Sequence, residues 1–194
     1  MRRPFMDTPD QLTSLDGQQY LVLRPTGPVA ELYEREQDAA LHRADVPHPH
    51  TGHVTLRGFF EPERREELAA LVRDWATVQA PIEVTVEAVD VFPAPWQIVI
   101  LRLARSASLV SAYASLTSAL EATDIRRLGE LSLEDWTFHL SVLYGKTLSP
   151  EEWQALATAS ARELADPPSE TIHEVELVSY DGGVELAEVI RLGG

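Results

Sequence analysis

Two short stretches of one pattern constrain this chain more than anything else in it: His53-Val54-Thr55-Leu56 and His139-Leu140-Ser141-Val142, each inside an apolar run, residues 52–60 and 138–144. In an extended strand successive side chains alternate between faces, so His53 and Thr55 share one face and Val54 and Leu56 the other. The second copy repeats this. With Val54, Leu56, Leu140 and Val142 turned toward a core, each strand offers one imidazole and one hydroxyl to the opposite surface. Two such strands brought together make a site.

The remaining segments fall into two series of the same order. Residues 18–24 read as a strand closed by Pro25-Thr26-Gly27-Pro28, and residues 29–43 as a surface helix. A loop over residues 45–52 carries Pro47, His48, Pro49 and His50 into the first motif strand. Pro62 fits the first turn of a helix that runs to about Val78, and Pro81 stops it. Residues 82–92 and 96–104 then read as two strands joined at Pro93-Ala94-Pro95. The second series has a helix over 106–123 capped at Ser106 or Ser108, and the second motif strand over 137–145. A capping box, Ser149-Pro150-Glu151-Glu152, opens a helix with Trp153, Leu156, Ala157 and Leu164 on one side. Asp166-Pro167-Pro168 ends it, and a hairpin turns at Asp181-Gly182-Gly183. An internal repeat with one motif in each half predicts a pseudo-two-fold arrangement in which the motif strands meet across a central groove. The expected class is α+β, with antiparallel sheets backed by helices. Residues 1–17 read as a loose lead-in, and residues 18–194 as a single two-lobed domain.

Composition narrows the chemistry. The 194 residues include no cysteine, which removes disulfides, thiolate metal sites and a cysteine nucleophile. The formal net charge is -15 and Lys146 is the one lysine, so a long polyanion such as extended RNA is disfavoured as the main ligand. A small anion held at a local site is still compatible with that balance. No apolar run reaches the roughly 18 residues of a membrane helix. The first ten residues lack the apolar stretch of a secretory signal, so a cytoplasmic location is expected and no membrane partner. Pro49 and Gly52 give His48, His50 and His53 no fixed geometry, no carboxylate follows at a usual ligand spacing, and no metal or other cofactor is expected.

One His-x-Thr or His-x-Ser in a strand is ordinary. Two of them, each followed by a helix with an early proline and placed in matching positions of two halves, resemble the 2H phosphoesterase superfamily, and within it the LigT-like group of 2′-5′ RNA ligases and RNA 2′,3′-cyclic phosphodiesterases. The resemblance covers residues 18–192. It implies a bilobal fold, two pseudo-symmetric lobes around a groove, with metal-independent chemistry. It also implies His53 and His139 as the catalytic pair, and Thr55 and Ser141 as the phosphate-holding hydroxyls.

The residue types suit that chemistry in their own right. Opening a cyclic phosphodiester needs a base for water and an acid for the leaving ribose oxygen, and histidine serves either role near neutral pH. Hydroxyls can donate to the non-bridging oxygens. Some LigT-like proteins carry an arginine a few residues after the second motif; here Tyr144 and Lys146 stand in that region. Lys146 and Arg57 are candidate substrate cations, and Trp96, Phe92 and Tyr144 are candidates to stack on a base. The expected function is metal-independent hydrolysis of a small cyclic phosphate by a monomer, on a nucleotide or short oligonucleotide substrate. A 2′-5′ RNA ligase and a non-catalytic nucleotide-binding module are the alternatives, and a structural protein with buried histidines is the third.

Overall fold

The computed structural model describes residues 2–6, 8–46 and 51–193. The loop histidines His48 and His50 lie outside the described residues. In chain order the elements are α1 (Pro9–Ser14), β1 (Gln19–Leu23), α2 (Pro28–Leu41), β2 (Val54–Phe59), α3 (Arg65–Val78), β3 (Ile82–Phe92), β4 (Ile98–Leu103), α4 (Ala107–Glu121), β5 (Arg127–Leu128), β6 (His139–Tyr144), α5 (Pro150–Ser160), β7 (Arg162–Glu163), β8 (Ser169–Ile172), β9 (Glu174–Asp181) and β10 (Val184–Arg191). The local signals act where expected. Ser106 accepts from the Leu109 N–H at the start of α4, and the Ser149–Glu152 capping box opens α5.

One antiparallel sheet runs in the order β10-β9-β1-β2-β6-β4-β3-β7, with β5 on β2 and β8 on β3. Its two halves, β10-β9-β1-β2 and β6-β4-β3-β7, meet only where β2 faces β6, through the pair Val54↔Leu140. A pseudo-two-fold relation therefore passes through that pair. The two motif strands are direct neighbours. The sequence halves are not the halves of the sheet: hairpin β3–β4 follows the first motif yet pairs with β6, while hairpin β9–β10 follows the second and pairs with β1 beside β2.

Val54, Leu56, Leu140 and Val142 are all fully buried in the main core, each burial stabilising by roughly 1.5–3 kcal/mol. His53, Thr55, His139 and Ser141 are half-buried on the other face. The alternation read from the sequence holds up to one point in each strand. Between Thr55 and Arg57, β2 has an extra residue, because consecutive Val22 and Leu21 of β1 face Thr55 and Arg57. Between Ser141 and Leu143, β6 does the same against Ile100 and Val99 of β4. These are matched β-bulges, each one residue beyond the motif hydroxyl, and a bulge resets which face the following side chains take. Helix α2 supports the bulge in β6: the Tyr33 hydroxyl donates to the Ser141 carbonyl at 3.0 Å and the Gln37 amide to the Val142 carbonyl at 3.2 Å.

Three expectations are corrected. Residues 2–6 and 8–16 are packed rather than loose: Thr8 and Gln11 form a capping box on α1, and Phe5 is buried with Val22, Val178 and Tyr180 in a second, smaller cluster. Helix α3 begins at Arg65 rather than at Pro62, because Glu61 is used otherwise: it is buried and takes the Arg126 N–H at 2.7 Å and the Arg64 guanidinium at 2.6 Å. Helix α5 ends at Ser160, and Leu164 lies beyond it, next to β7.

Gly52, the residue before His53, is set by close packing. A Cβ there would lie 2.9 Å from the ring of Tyr33, the side chain that holds the Ser141 carbonyl. Gly52→Ala is expected to reduce the unfolding free energy by about 1–3 kcal/mol through overpacking, measured by urea denaturation.

Candidate active site

The two imidazoles are held in the same way. Nδ1 of His53 lies 2.9 Å from the Thr51 carbonyl and Nδ1 of His139 lies 2.8 Å from the Thr137 carbonyl, each two residues back. A carbonyl only accepts, so in both rings Nδ1 carries the proton, and Nε2 of the neutral ring is the free lone pair. Each ring also has a phenylalanine edge-on: Phe5 to His53 with centroids 4.6 Å apart, and Phe92 to His139 at 4.8 Å. Backbone and aromatic contacts together fix the ring planes.

The register sets their separation. Carrying the Val54↔Leu140 pairing one residue each way puts His53 opposite Ser141 and Thr55 opposite His139. The two histidines are then diagonal neighbours, about 7–8 Å apart at the backbone, with a hydroxyl beside each. Two imidazoles and two hydroxyls therefore lie close together on one face of the sheet. Burial pushes both imidazoles below their ordinary pKa; for His53 the charge of His139 and that of Arg24 lower it further, while Glu185 opposes.

Of the other candidates from the sequence, the structure brings Tyr144 to this place. Its hydroxyl hydrogen-bonds Ser141, and its ring lines a cavity of about 180 Å³ together with His53 and Thr55. Trp96, 57% exposed, stands on the β3–β4 turn, and Lys146 is exposed just after β6. Neither lines that cavity. A hydrogen bond from the Gly145 N–H to the Gln97 carbonyl ties their two turns together. Phe92 acts as the ring partner of His139.

Arg57 is not in the site. The bulge after Thr55 turns it to the helix side, where it is 1% exposed, bonded to the Tyr113 hydroxyl and Thr117, stacked over the Tyr113 ring at 3.9 Å and 3.8 Å from Glu130. It joins β2 to α4. The residue that sequence reasoning missed is Phe5. Its signal was present: Thr8-Pro9-Asp10-Gln11 repeats the chemistry of the Ser149 capping box, and a capped helix so near Phe5 and Met6 implies a docked segment. Among the described residues there is no group of three or more histidine, aspartate or glutamate side chains that could hold a metal ion, and no helix is long and apolar enough to cross a membrane.

Solved structures share this fold of helices and an antiparallel sheet. The protein TT0787 of Thermus thermophilus superposes with a TM-score of 0.67 at 16% identity, covering 91% of this chain and 98% of its own. LigT of E. coli, solved with 3′-AMP, gives 0.54 at 17% identity over 90% and 95%. Usb1 of Kluyveromyces marxianus, solved with uridine monophosphate, gives 0.52 at 15% identity over 91% and 99%. No curated protein sequence matches significantly. The sequence model of the 2′-5′ RNA ligase superfamily matches residues 24–184, and the chain belongs to that superfamily.

The lowered histidine pKa values set a stability expectation. Between the folded values and the ordinary 6.5 the unfolded chain binds more protons, so stability rises with pH there. It is complete above about 6.5 and is lost as pH falls through the folded values. The thermal midpoint is expected to drop between about pH 7 and pH 5, and to drop less in His53→Asn/His139→Asn, measured by scanning calorimetry.

Proposed function

We propose that this protein is a metal-independent phosphodiesterase that opens a small cyclic phosphate, a 2′,3′-cyclic nucleotide or a short RNA end that carries one. The observation that carries the reading is the pair of Nδ1-anchored imidazoles on neighbouring strands, each with a hydroxyl beside it. One neutral imidazole takes a proton from water at Nε2 as the water oxygen bonds to phosphorus. The other, protonated, gives its Nε2 proton to the ribose oxygen as that P–O bond breaks, leaving a phosphomonoester. Thr55 and Ser141 donate to the non-bridging oxygens, and Tyr144 orients the Ser141 hydroxyl.

Substrate size follows from charge. The chain carries -15, and Arg57, one of the two cations expected to meet a phosphate, is buried against α4. A nucleotide-sized anion suits the site better than long RNA. The monophosphates held by the E. coli and Kluyveromyces relatives support a ligand of that size. Ligation would run the same chemistry in reverse, on two RNA ends that need a basic groove.

The test is hydrolysis of 2′,3′-cyclic nucleotides and cyclic-phosphate-ended dinucleotides with EDTA present. His53→Ala and His139→Ala are each expected to lower kcat by about 10²–10⁴-fold while the fold persists. A folded wild type inert on the whole panel, or either alanine variant retaining full turnover, contradicts the reading. Because burial lowers both imidazole pKa values, the bell-shaped profile of kcat/KM is expected to peak on the acid side of 6.5.

A further inference from the structure

The two halves of the site match closely, with one exception in where their parts come from. Phe92, on the ring of His139, belongs to β3 within the repeat; Phe5, on the ring of His53, belongs to a segment that precedes the span matched by the superfamily, residues 24–184. Residues 2–6 are nonetheless firmly tied. Arg2 donates to Glu176 and to Glu185, each at 2.7 Å, and the N–H groups of Phe5 and Met6 both donate to the same buried Glu185 carboxylate at 2.9 Å. The Arg24 guanidinium lies over the Phe5 ring, 3.8 Å from its centroid. A second connection runs through the backbone: the Thr51 hydroxyl donates to the Pro4 carbonyl at 2.8 Å, and the Thr51 carbonyl is the acceptor for Nδ1 of His53.

The same arm forms one wall of the cavity beside His53. Phe5, Met6, Leu15, Tyr20, Val178 and Tyr180 give it an apolar and aromatic lining, and His53, Thr55 and Tyr144 stand where it meets the site. At about 180 Å³ it is smaller than the roughly 300–1,000 Å³ of pockets that enclose a whole drug-sized ligand. It suits one planar ring system entering from the phosphate site. Aromatic walls favour such a ring by stacking, whatever its hydrogen-bonding edge.

We infer that the N-terminal arm, residues 2–6, completes the active site: Phe5 positions the ring of His53 and, with Met6, walls a pocket that takes the nucleobase of the substrate. This deepens the proposed function and rests on it. The reacting phosphate lies between the histidines, the ribose passes Thr55 and Tyr144, and the base enters under the arm. Selectivity for substrates that carry a base then depends on a segment that precedes residues 24–184, the span matched by the superfamily model. Phe5 also excludes water from His53. The charged and titratable groups facing that ring are His139 from β6, Arg24 from the end of β1 and Glu185 from β10, so its titration reports on the arm.

The experiment uses the full chain and two probes, adenosine 2′,3′-cyclic phosphate and the cyclic phosphate of propane-1,2-diol, which has the reacting group but no base. Leu15→Trp narrows the pocket, and it is expected to raise KM for the nucleotide by about tenfold more than it raises KM for the diol phosphate. Phe5→Ala is expected to lower kcat/KM for both probes and to move one limb of the pH profile upward as water reaches His53, while Phe5→Leu restores the wild-type limb. The inference is overturned if Leu15→Trp affects both probes equally or neither, or if the Phe5→Ala profile superimposes on the wild type. Should the wild type cleave neither probe, hydrolysis of the wider panel decides the proposed function, and calorimetric binding of adenosine decides the pocket separately. Binding that Leu15→Trp abolishes supports it; absent or unchanged binding overturns it.

Discussion

The arrangement depends on a short contact between two strands. β2 and β6 pair through Val54 and Leu140 alone, and everything on either side is placed by that joint. Because the pairing is antiparallel and the motifs are in register, each histidine faces the other motif's hydroxyl. Because bulges follow immediately in both strands, the ladder to the outer neighbours changes phase just past the hydroxyls. The joint is a single residue pair, and the four polar groups lie together on one face.

Such a joint needs support from outside the ladder. On β6 it comes from Tyr33 and Gln37, four residues apart on α2, which hydrogen-bond the carbonyls of Ser141 and Val142. On β2 the corresponding help comes from Tyr113 and Thr117, also four apart, on α4, which hold Arg57. The buried guanidinium is thus a structural counterpart to a pair of carbonyl acceptors. Its charge is met by a tyrosine, a threonine and Glu130, on the helix side of the sheet.

Much of this was legible in the sequence. Period-two alternation assigned the faces of His53, Thr55, His139 and Ser141, and β3 occupies the predicted residues 82–92. Serine caps marked the starts of α4 and α5. What escaped were effects of long-range geometry. A bulge leaves no periodic trace beyond one extra residue, so Arg57 read as a groove residue. Which hairpin pairs with which motif strand is a choice between distant partners, and local patterning carries nothing of it. The N-terminal arm escaped for another reason: its burial depends on Glu176 and Glu185, far along the chain, whose carboxylates hold Arg2 and the N–H groups of Phe5 and Met6.

The central claim is that two imidazoles with the same tautomer face one phosphate from neighbouring strands. The most direct measurement is nitrogen-15 NMR of the side chains of His53 and His139, assigned with single variants, before and after addition of inorganic phosphate. At pH 8 both rings are expected to be neutral with the proton on Nδ1, and phosphate is expected to raise the pKa of both, with the response at Nε2. A proton on Nε2 in either free ring, or a phosphate response at only one of the two, would contradict it.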